Sequence, residues 1–244
     1  MNIFDKIFGT HDAPPTNPAL TYQTEGPVTA NLTVIHGDVH IHTHDAPTIL
    51  VTFSKVRGDT VLAPDGPGWG FDGARGVLRI DAHAMPSREL KVSGIDVFLP
   101  TDSSVTLNAT GGDCTLVGRF ASLDLTTTGG DVDTSDAIAQ RCRIHSAGGD
   151  IELSITAQST VSAHSAGGDI SIDVHAPCVI TANTMAGDIE VAVDRGYETE
   201  VDASTTVGEI NSDIAFHASG DSGEPAAVRL TLTTTAGDIE IKQR

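Results

Sequence analysis

The chain has 244 residues, enough to bury a sizeable core in one large domain or two small ones. Asp and Glu outnumber Lys and Arg by 33 to 14, and the formal net charge of −19 repels phosphate backbones, so nucleic acid is not an expected partner. Apolar residues make up 39% of the chain and aromatic residues only 4%, which favours a β-rich core of Val, Ile, Leu, Ala and Thr.

Residues 1–17 are predicted to be a short amphipathic segment followed by a linker. Ile3, Phe4, Ile7 and Phe8 fall on one face of a short helix, and a Pro-rich stretch follows them. We expect this helix to cap the first turn of the domain; docking on a partner, or membrane contact through residues 1–9, are the alternatives. Because no secretory signal and no apolar run of about 20 residues is visible, a cytoplasmic location is expected.

The main domain is predicted to span residues 18–244, with a less regular part up to residue 110. Four strand-like runs occur in that part, at 28–35, 48–56, 76–83 and 94–100. The loop rich in Gly and Pro that precedes the third run contains Trp69, the only tryptophan. We expect its side chain to pack on the flank of the domain rather than to serve as a ligand platform.

Every second position from residue 36 to residue 44 is His, except for Asp38, in the sequence "HGDVHIHTH". On a strand these side chains share one face, with Val39 and Ile41 on the other. Histidines two apart on a strand can chelate a transition metal, so His40, His42 and His44 are candidate metal ligands. The alternative is a polar outer face that is rich in His.

From residue 111 onwards the chain repeats one phrase: "HSAGGDIEL" at 145–153 returns as "HSAGGDISI" at 164–172. Copies of the Gly-Asp motif lie 18 or 19 residues apart, two looser copies follow, and an earlier one contains Asp38. Alternating apolar and polar residues predict two short strands and two corners per unit, and no helix. Each unit is then expected to pair in parallel with the units before and after it in sequence, about 4.8 Å away. The predicted fold is an all-β, single-domain parallel β-helix, or β-solenoid, with about 18–19 residues per turn, and the glycines mark its corners.

The phrases "SAGGDIEL", "NTMAGDIEV" and "LTLTTTAGDIEIKQR", with "GPVTANLTVIHGDVHI" and "IDVFLPTDSSVTLNATGGD", carry a resemblance that covers roughly residues 20–244. The chain resembles a bacterial family of β-strand-repeat domains of unknown function, called "putative adhesins". The resemblance implies a right-handed parallel β-helix and no assigned activity. Unlike the surface members of that family, this chain shows no export signal, which puts adhesion in doubt here.

Stacking the units lines up an outward column of acids. Its members are Asp113, Asp131, Asp150, Asp169, Asp188, Glu209 and Asp238. Two residues further on, the same face carries Asp133, Glu152, Glu190 and Glu240. Neighbouring carboxylates about 5 Å apart repel by about 1 kcal/mol in a water-like dielectric. We expect solvent screening and local backbone amides at each corner to offset this, so that the acidic ladder is mainly structural; bridging divalent cations such as Ca²⁺ are the alternative.

A second polar column is predicted from the stack of His145 on His164. It continues through Asn108, Thr126, Asn183 and Ser204. The cysteines are expected to be reduced thiols in the core, because three cannot all pair and none has a metal-binding spacing. They are Cys114, Cys142 and Cys178.

No nucleophile elbow, paired catalytic carboxylates or phosphate loop is present, and Arg119, Arg141 and Arg143 near the acidic columns form no recognisable constellation. We therefore expect no enzyme, no catalytic residues and no cofactor. The leading interpretation is a non-enzymatic scaffold that associates with itself, end to end or side by side, or with another protein. A module that binds a divalent metal or a glycan on the acidic or His-rich outer face is the alternative, and a polysaccharide-active β-helix enzyme is third.

Overall fold

The computed structural model describes residues 19–54, 63–81, 94–214 and 226–244. All regular structure in these ranges is β-strand, and they contain no helix that could cross a bilayer. The segment predicted at residues 1–17 lies outside the described residues. The strands are β1 (Ala19–Gln23), β2 (Thr29–Val34), β3 (Asp38–His44), β4 (Thr48–Ser54), β5 (Trp69–Asp72), β6 (Val77–Asp81), β7 (Gly94–Pro100), β8 (Ser103–Ala109), β9 (Cys114–Thr127), β10 (Val132–Thr134), β11 (Ala137–Ser146), β12 (Ile151–Ile155), β13 (Ser159–Ser165), β14 (Ile170–Val174), β15 (Cys178–Ala186), β16 (Ile189–Val193), β17 (Thr199–Val207), β18 (Ile210–Ser212), β19 (Val228–Ala236) and β20 (Ile239–Gln243).

These strands form a β-solenoid, which confirms the predicted fold class. One turn of the chain, called a rung below, gives one strand to each of two sheets. Sheet A contains β3, β7, β10, β12, β14, β16, β18 and β20, with β1 and β4 at one end; sheet B contains β2, β5, β6, β8, β11, β13, β15, β17 and β19. The long strand β9 bends from sheet A into sheet B. Successive rungs pair in parallel and in register, as when Ile151 pairs with Ile170 in sheet A.

Aliphatic side chains stacked between the two sheets form the core. One inward column consists of Val132, Ile151, Ile170, Ile189 and Ile239, each at most 1% exposed. Burying one such side chain stabilises the fold by about 1.5–3 kcal/mol, but a rung can bury its own only against its neighbours. The three cysteines are buried and free, as predicted.

The order of the last two rungs differs from the prediction. The rung of β19 and β20, last in sequence, lies between the rung of β15 and β16 and that of β17 and β18: Val228 pairs with both Cys178 and Thr199. The prediction that each unit pairs with its neighbours in sequence is therefore wrong at this end. Among the described strands, the rung of β17 and β18 is therefore the terminal one.

Side-chain composition gives the physical reason. The inward residues of β19 and β20 are large and fully buried; they include Val228, Leu230, Leu232, Ile239 and Ile241. The inward residues of β17 and β18 are smaller, more polar or partly exposed; they include Thr199, Val201, Ala203, Thr205 and Ile210. Placing the apolar rung inside buries more hydrocarbon, and the more polar rung is left at the end, as in other repeat proteins.

At the other end the solenoid departs from a purely parallel stack. Strand β3 pairs directly with β9, whereas β4 runs antiparallel to both β7 and β1, and β5 and β6 form a hairpin. On that hairpin Trp69 is 8% exposed and its indole N–H donates to the Ala63 carbonyl over 2.9 Å. Trp69 therefore packs as predicted.

Candidate functional site

The acidic ladder is a chain of hydrogen bonds that runs from one rung to the next. The Oδ1 atom of each Asp accepts the backbone N–H of the equivalent acidic residue one rung along, over distances from 2.7 to 3.2 Å. In spatial order the ladder is Asp38, Asp113, Asp131, Asp150, Asp169, Asp188, Asp238 and Glu209. The amides were expected to be local; they instead belong to the next rung, so each carboxylate ties two rungs together. This geometry gives the ladder a structural role.

The glycine before the Asp allows neighbouring rungs to come close enough for that hydrogen bond to form. At Gly149 the backbone has φ of 99°, and an added Cβ would collide with the carbonyl of Gly130 in the preceding rung. Only glycine permits both the left-handed conformation and this close approach. The repeated phrase is therefore a building unit of the solenoid.

The second acidic column lies on the outward face of sheet A. In register it reads Asp133, Glu152, Ser171, Glu190, Glu240 and Asn211. The Lys242 Nζ atom lies 2.6 Å from the Glu190 carboxylate and 2.9 Å from the Glu240 carboxylate. The hydrogen bond to Glu190 makes the largest contribution to raising the pKa of Lys242, and the bond to Glu240 the next largest. Within the described residues, no group of three or more His, Cys, Asp or Glu side chains could hold a metal ion.

The His-rich strand is β3, with Val39 and Ile41 buried as expected. The ring of His42 stacks on Phe98 at 5.1 Å, and burial, followed by the nearby His40, lowers its pKa. The Nδ1 atom of His44 accepts the Ala46 N–H over 3.0 Å, and burial lowers the pKa of that ring too. His40, His42 and His44 therefore lie along one strand. Among the described residues they do not form a group of three or more side chains that could hold a metal ion. Their role as metal ligands stays a prediction.

The polar column on sheet B has the predicted stack at its centre. The rings of His145 and His164 lie 4.9 Å apart and within 5° of parallel. Asn183 and Ser204, expected to be neighbours, are separated by Thr233 because of the changed rung order. In register the column reads Asp81, Thr33, Asn108, Thr126, His145, His164, Asn183, Thr233 and Ser204.

The three candidate arginines lie apart from the acidic ladder of sheet A. Arg119 makes two hydrogen bonds to the Asp102 carboxylate, at 2.9 and 3.0 Å, at a turn where Asp102 has φ of 65°. Arg141 and Arg143 project from the outward face of sheet B, and Arg143 lies 3.9 Å from Asp124. Among the residues that the structure describes, none of the three arginines contacts a pair of carboxylates.

Sequence reasoning expected unpaired strand edges at the end rungs, but it missed that the rung of β17 and β18 forms this end in the described structure. In the described structure β17 pairs only with β19, and β18 only with β20. Three large apolar side chains are exposed here: Val207 by 68%, Ile210 by 38% and, two rungs away, Met185 by 62%. The signal in the sequence was the weak apolar content of 199–212, since a rung with small inward residues suits an end position.

The regular rungs and their glycine corners match a known family model, described as Toastrack DUF4097, over residues 90–242. The chain belongs to the Toastrack DUF4097 family. The match includes every Gly-Asp copy after the first, and the function of this family is unknown. No protein with a curated description matches this Toastrack chain.

Two solved structures resemble this Toastrack protein. A "putative adhesin" from Bacteroides fragilis NCTC 9343 is 15% identical with a TM-score of 0.50, covering 93% of this chain and 98% of its own. A "putative cell adhesion protein" from Clostridium sporogenes ATCC 15579 is 12% identical with a TM-score of 0.37, covering 95% of this chain and 100% of its own. At these identities the first likeness concerns the fold alone.

Proposed function

We propose that this Toastrack protein is a non-enzymatic scaffold, and that two copies associate through the open edge of the terminal rung. The observation that carries the proposal is the single-sided pairing of β17 and β18 in the described structure. An edge strand presents unpaired N–H and C=O groups to any strand that can align with it. The acidic residues of the corners are used in hydrogen bonds between rungs, which supports a structural, non-enzymatic role.

The direction of the backbone groups on β17 follows from one hydrogen bond. The Val228 N–H donates to the Glu198 carbonyl over 3.1 Å. Because the backbone groups of successive residues point to opposite sides of a strand, this bond determines which residues of β17 face β19. By this alternation Glu200 and Asp202 direct their backbone groups at β19, whereas Ala203 directs its N–H and C=O at the open edge. The centre of β17 is thus ready to pair.

A second copy suits this edge better than an unrelated strand, because β17 is complementary to itself. Antiparallel pairing about a two-fold axis at Ala203 places Glu200 opposite Thr206 of the other copy, and Asp202 opposite Ser204. No two carboxylates then face each other directly. Glu200 is also paired with Arg229, whose Nε lies 2.8 Å from its carboxylate.

Exposed hydrocarbon at the same end adds to the driving force. Ile210 ends the inward column that includes Ile189 and Ile239, and it is 38% exposed because no further described rung covers it. A second copy would cover the end of the core. Each copy carries a formal charge of −19, however, so repulsion opposes the contact and added salt should strengthen the association.

Sedimentation velocity over a range of protein and salt concentrations tests the proposal. The wild type is expected to shift from monomer to dimer as concentration rises, and more readily at high salt. Ala203→Pro removes the N–H at the open edge and should abolish the dimer with little change in melting temperature.

Ser204→Pro is the matched control. Its N–H points to β19, so this substitution should lower the melting temperature instead. A wild type that stays monomeric throughout, or an Ala203→Pro variant that dimerises as well as the wild type, would overturn the proposal.

A further inference from the structure

The outward face of sheet B differs in charge from the rest of the molecule. Most of its positions are Ser, Thr or Asn, as at Thr106, Ser162 and Thr181 in the column that also contains Asp124 and Arg143. Sheet A, by contrast, carries the second acidic column. In a chain with a formal charge of −19, the middle of sheet B gathers positive and imidazole groups instead.

Strand β11 carries these groups in one row. Arg141, Arg143 and His145 alternate with buried residues, so their side chains lie on one face, about 6.6 Å apart along the strand. Arg141 has no ion pair with any described residue, and Arg143 has only the 3.9 Å contact with Asp124. The two guanidinium groups therefore keep most of their hydrogen-bonding capacity.

His164, on the next rung, is the fourth residue of this group, after Arg141, Arg143 and His145. His164 stacks on His145 at 4.9 Å; its Nδ1 lies 3.2 Å from the Asn183 amide nitrogen and its Nε2 lies 3.0 Å from the Ser162 hydroxyl. These contacts fix the ring against the face. The flanking members of this column, Thr126 and Asn183, are uncharged.

We propose that Arg141, Arg143 and the stacked pair of His145 and His164 form a binding site for a ligand that carries one compact anionic group, a carboxylate or a phosphate ester. Guanidinium groups bind such oxyanions through two parallel hydrogen bonds. The neutral polar part of the ligand lies along the hydroxyl and amide groups of β13 and β15. A polyanion does not suit the site, because the whole chain repels it.

Binding depends on pH in a defined direction. The charged and titratable groups that face the stacked rings are Arg143 and Arg141 on the same strand and Asp124 on β9. Burial, then His145 and Arg143, lower the pKa of His164, so the free protein holds this ring neutral at pH 7. A bound anion favours the protonated form of the His164 ring and raises its pKa above that in the free protein, and affinity therefore rises as pH falls through the range between these two pKa values.

This site lies on β11 and β13, away from the terminal rung, so it can succeed or fail independently of the proposed dimerisation. The test is an NMR titration of the full chain with sodium sulfate and, separately, with sodium glucuronate. Both probes keep a constant charge between pH 5.5 and 7.5. Sulfate represents the tetrahedral oxyanion of a phosphate ester, and glucuronate represents a carboxylate on a sugar.

Saturable shifts at the His145 and His164 rings are expected with at least one probe, with a dissociation constant at least tenfold lower at pH 5.5 than at pH 7.5. The probe that binds identifies the source of the anionic group. The double variant Arg141→Gln/Arg143→Gln should bind at least tenfold more weakly at an unchanged melting temperature. In His164→Gln the pH dependence should fall below twofold.

Arg75→Gln is the control, since Arg75 is an exposed arginine paired with Asp72 on the distant hairpin. It should bind as the wild type does. The absence of shifts at both rings with both probes, or equal binding by the double arginine variant, would overturn the proposal.

Discussion

At the scale of single residues, the Asp of each corner acts as an acceptor for the neighbouring rung. A carboxylate at Asp150 accepts the Asp169 N–H over 2.8 Å, and the Asp150 N–H in turn donates to Asp131. The same residue therefore takes part in two inter-rung bonds. Repulsion along the column opposes these bonds, and the two effects can be separated by substitution.

Asp150→Asn keeps an oxygen that can accept the Asp169 N–H and removes one charge from the column. We expect its melting temperature to equal or exceed that of the wild type. Asp150→Ala loses the acceptor and should destabilise the fold by about 0.5–1.5 kcal/mol. Urea unfolding of both variants measures the difference; equal losses in the two would show that the charge, not the hydrogen bond, matters.

Gly149 and Gly148 offer a matched pair at one corner. Gly149→Ala would place a methyl group against the Gly130 carbonyl at a positive φ, and should cost at least about 1–3 kcal/mol. At Gly148 an added Cβ would lie 3.8 Å from its nearest neighbour, the Thr128 carbonyl, so alanine there should be close to neutral. Thermal melts of the two variants compare them, and similar losses at both sites would contradict the close approach at Gly149.

The acidic column and the histidine stack could be predicted because period-two alternation and a fixed repeat length assign outward positions. The donor to each carboxylate could not, since a local amide and the amide of the next rung are equally compatible with the sequence around Asp150. Choosing between them requires the distance between rungs. The proposed anion site at Arg141 and Arg143 was missed for a similar reason. The conformation of the corners decides which sheet each strand belongs to, and the sequence pattern does not show it.

At the scale of elements, the inserted rung shows that motif spacing does not fix the order of units. Strands β17 and β19 present equivalent registers, so that Thr199 and Val228 could each pair with Cys178. For the regular repeats from residue 111 onwards, two strands per repeat, their parallel pairing and their approximate positions could be predicted from the sequence; the antiparallel pairings of β1, β4 and β5 could not. The order of the repeats could not either, because it depends on which rung gains more by being covered on both sides.

The positions Leu230 and Val201 pair with each other and test this order. Leu230 is fully buried between two rungs, so Leu230→Ala should cost about 2–5 kcal/mol. Val201 is partly exposed at the end, and Val201→Ala should cost clearly less. Chemical denaturation ranks the two substitutions; a larger loss for Val201 would place β17 inside and β19 at the end.

At the scale of the whole molecule, the rungs form one continuous stack whose core side chains are buried from solvent. Burial, with a contribution from Asp124, raises the pKa of the Cys142 thiol to about 12, and burial raises that of Cys178 to about 12. At pH 8 these thiols are protonated and covered in the native state. Their reactivity therefore reports opening of the stack.

We expect the thiols of the native protein to react with iodoacetamide many times more slowly than those of the urea-unfolded chain. Added salt should slow the native reaction further, since screening of the −19 charge stabilises the compact state. Mass spectrometry after timed labelling measures both effects. Rapid labelling of Cys142 in the native protein would show that the core is open there.

The charge of the molecule is divided between its faces. The outward face of sheet A carries the second acidic column, whereas the middle of sheet B carries Arg141, Arg143, His145 and His164. The proposed association at the terminal rung and the proposed anion binding on sheet B use different surfaces, so the two proposals are compatible in one copy. The placement of both surfaces depends on the order of the rungs.

Nuclear Overhauser effects between isotope-labelled isoleucine methyl groups test that order most directly. Neighbouring rungs lie about 4.8 Å apart and alternate rungs about 10 Å. With β20 inserted, Ile239 should show cross-peaks to both Ile189 and Ile210, and none should join Ile189 to Ile210. A direct Ile189–Ile210 cross-peak, with Ile239 in contact with Ile210 alone, would contradict the inserted rung and the open edge at β17.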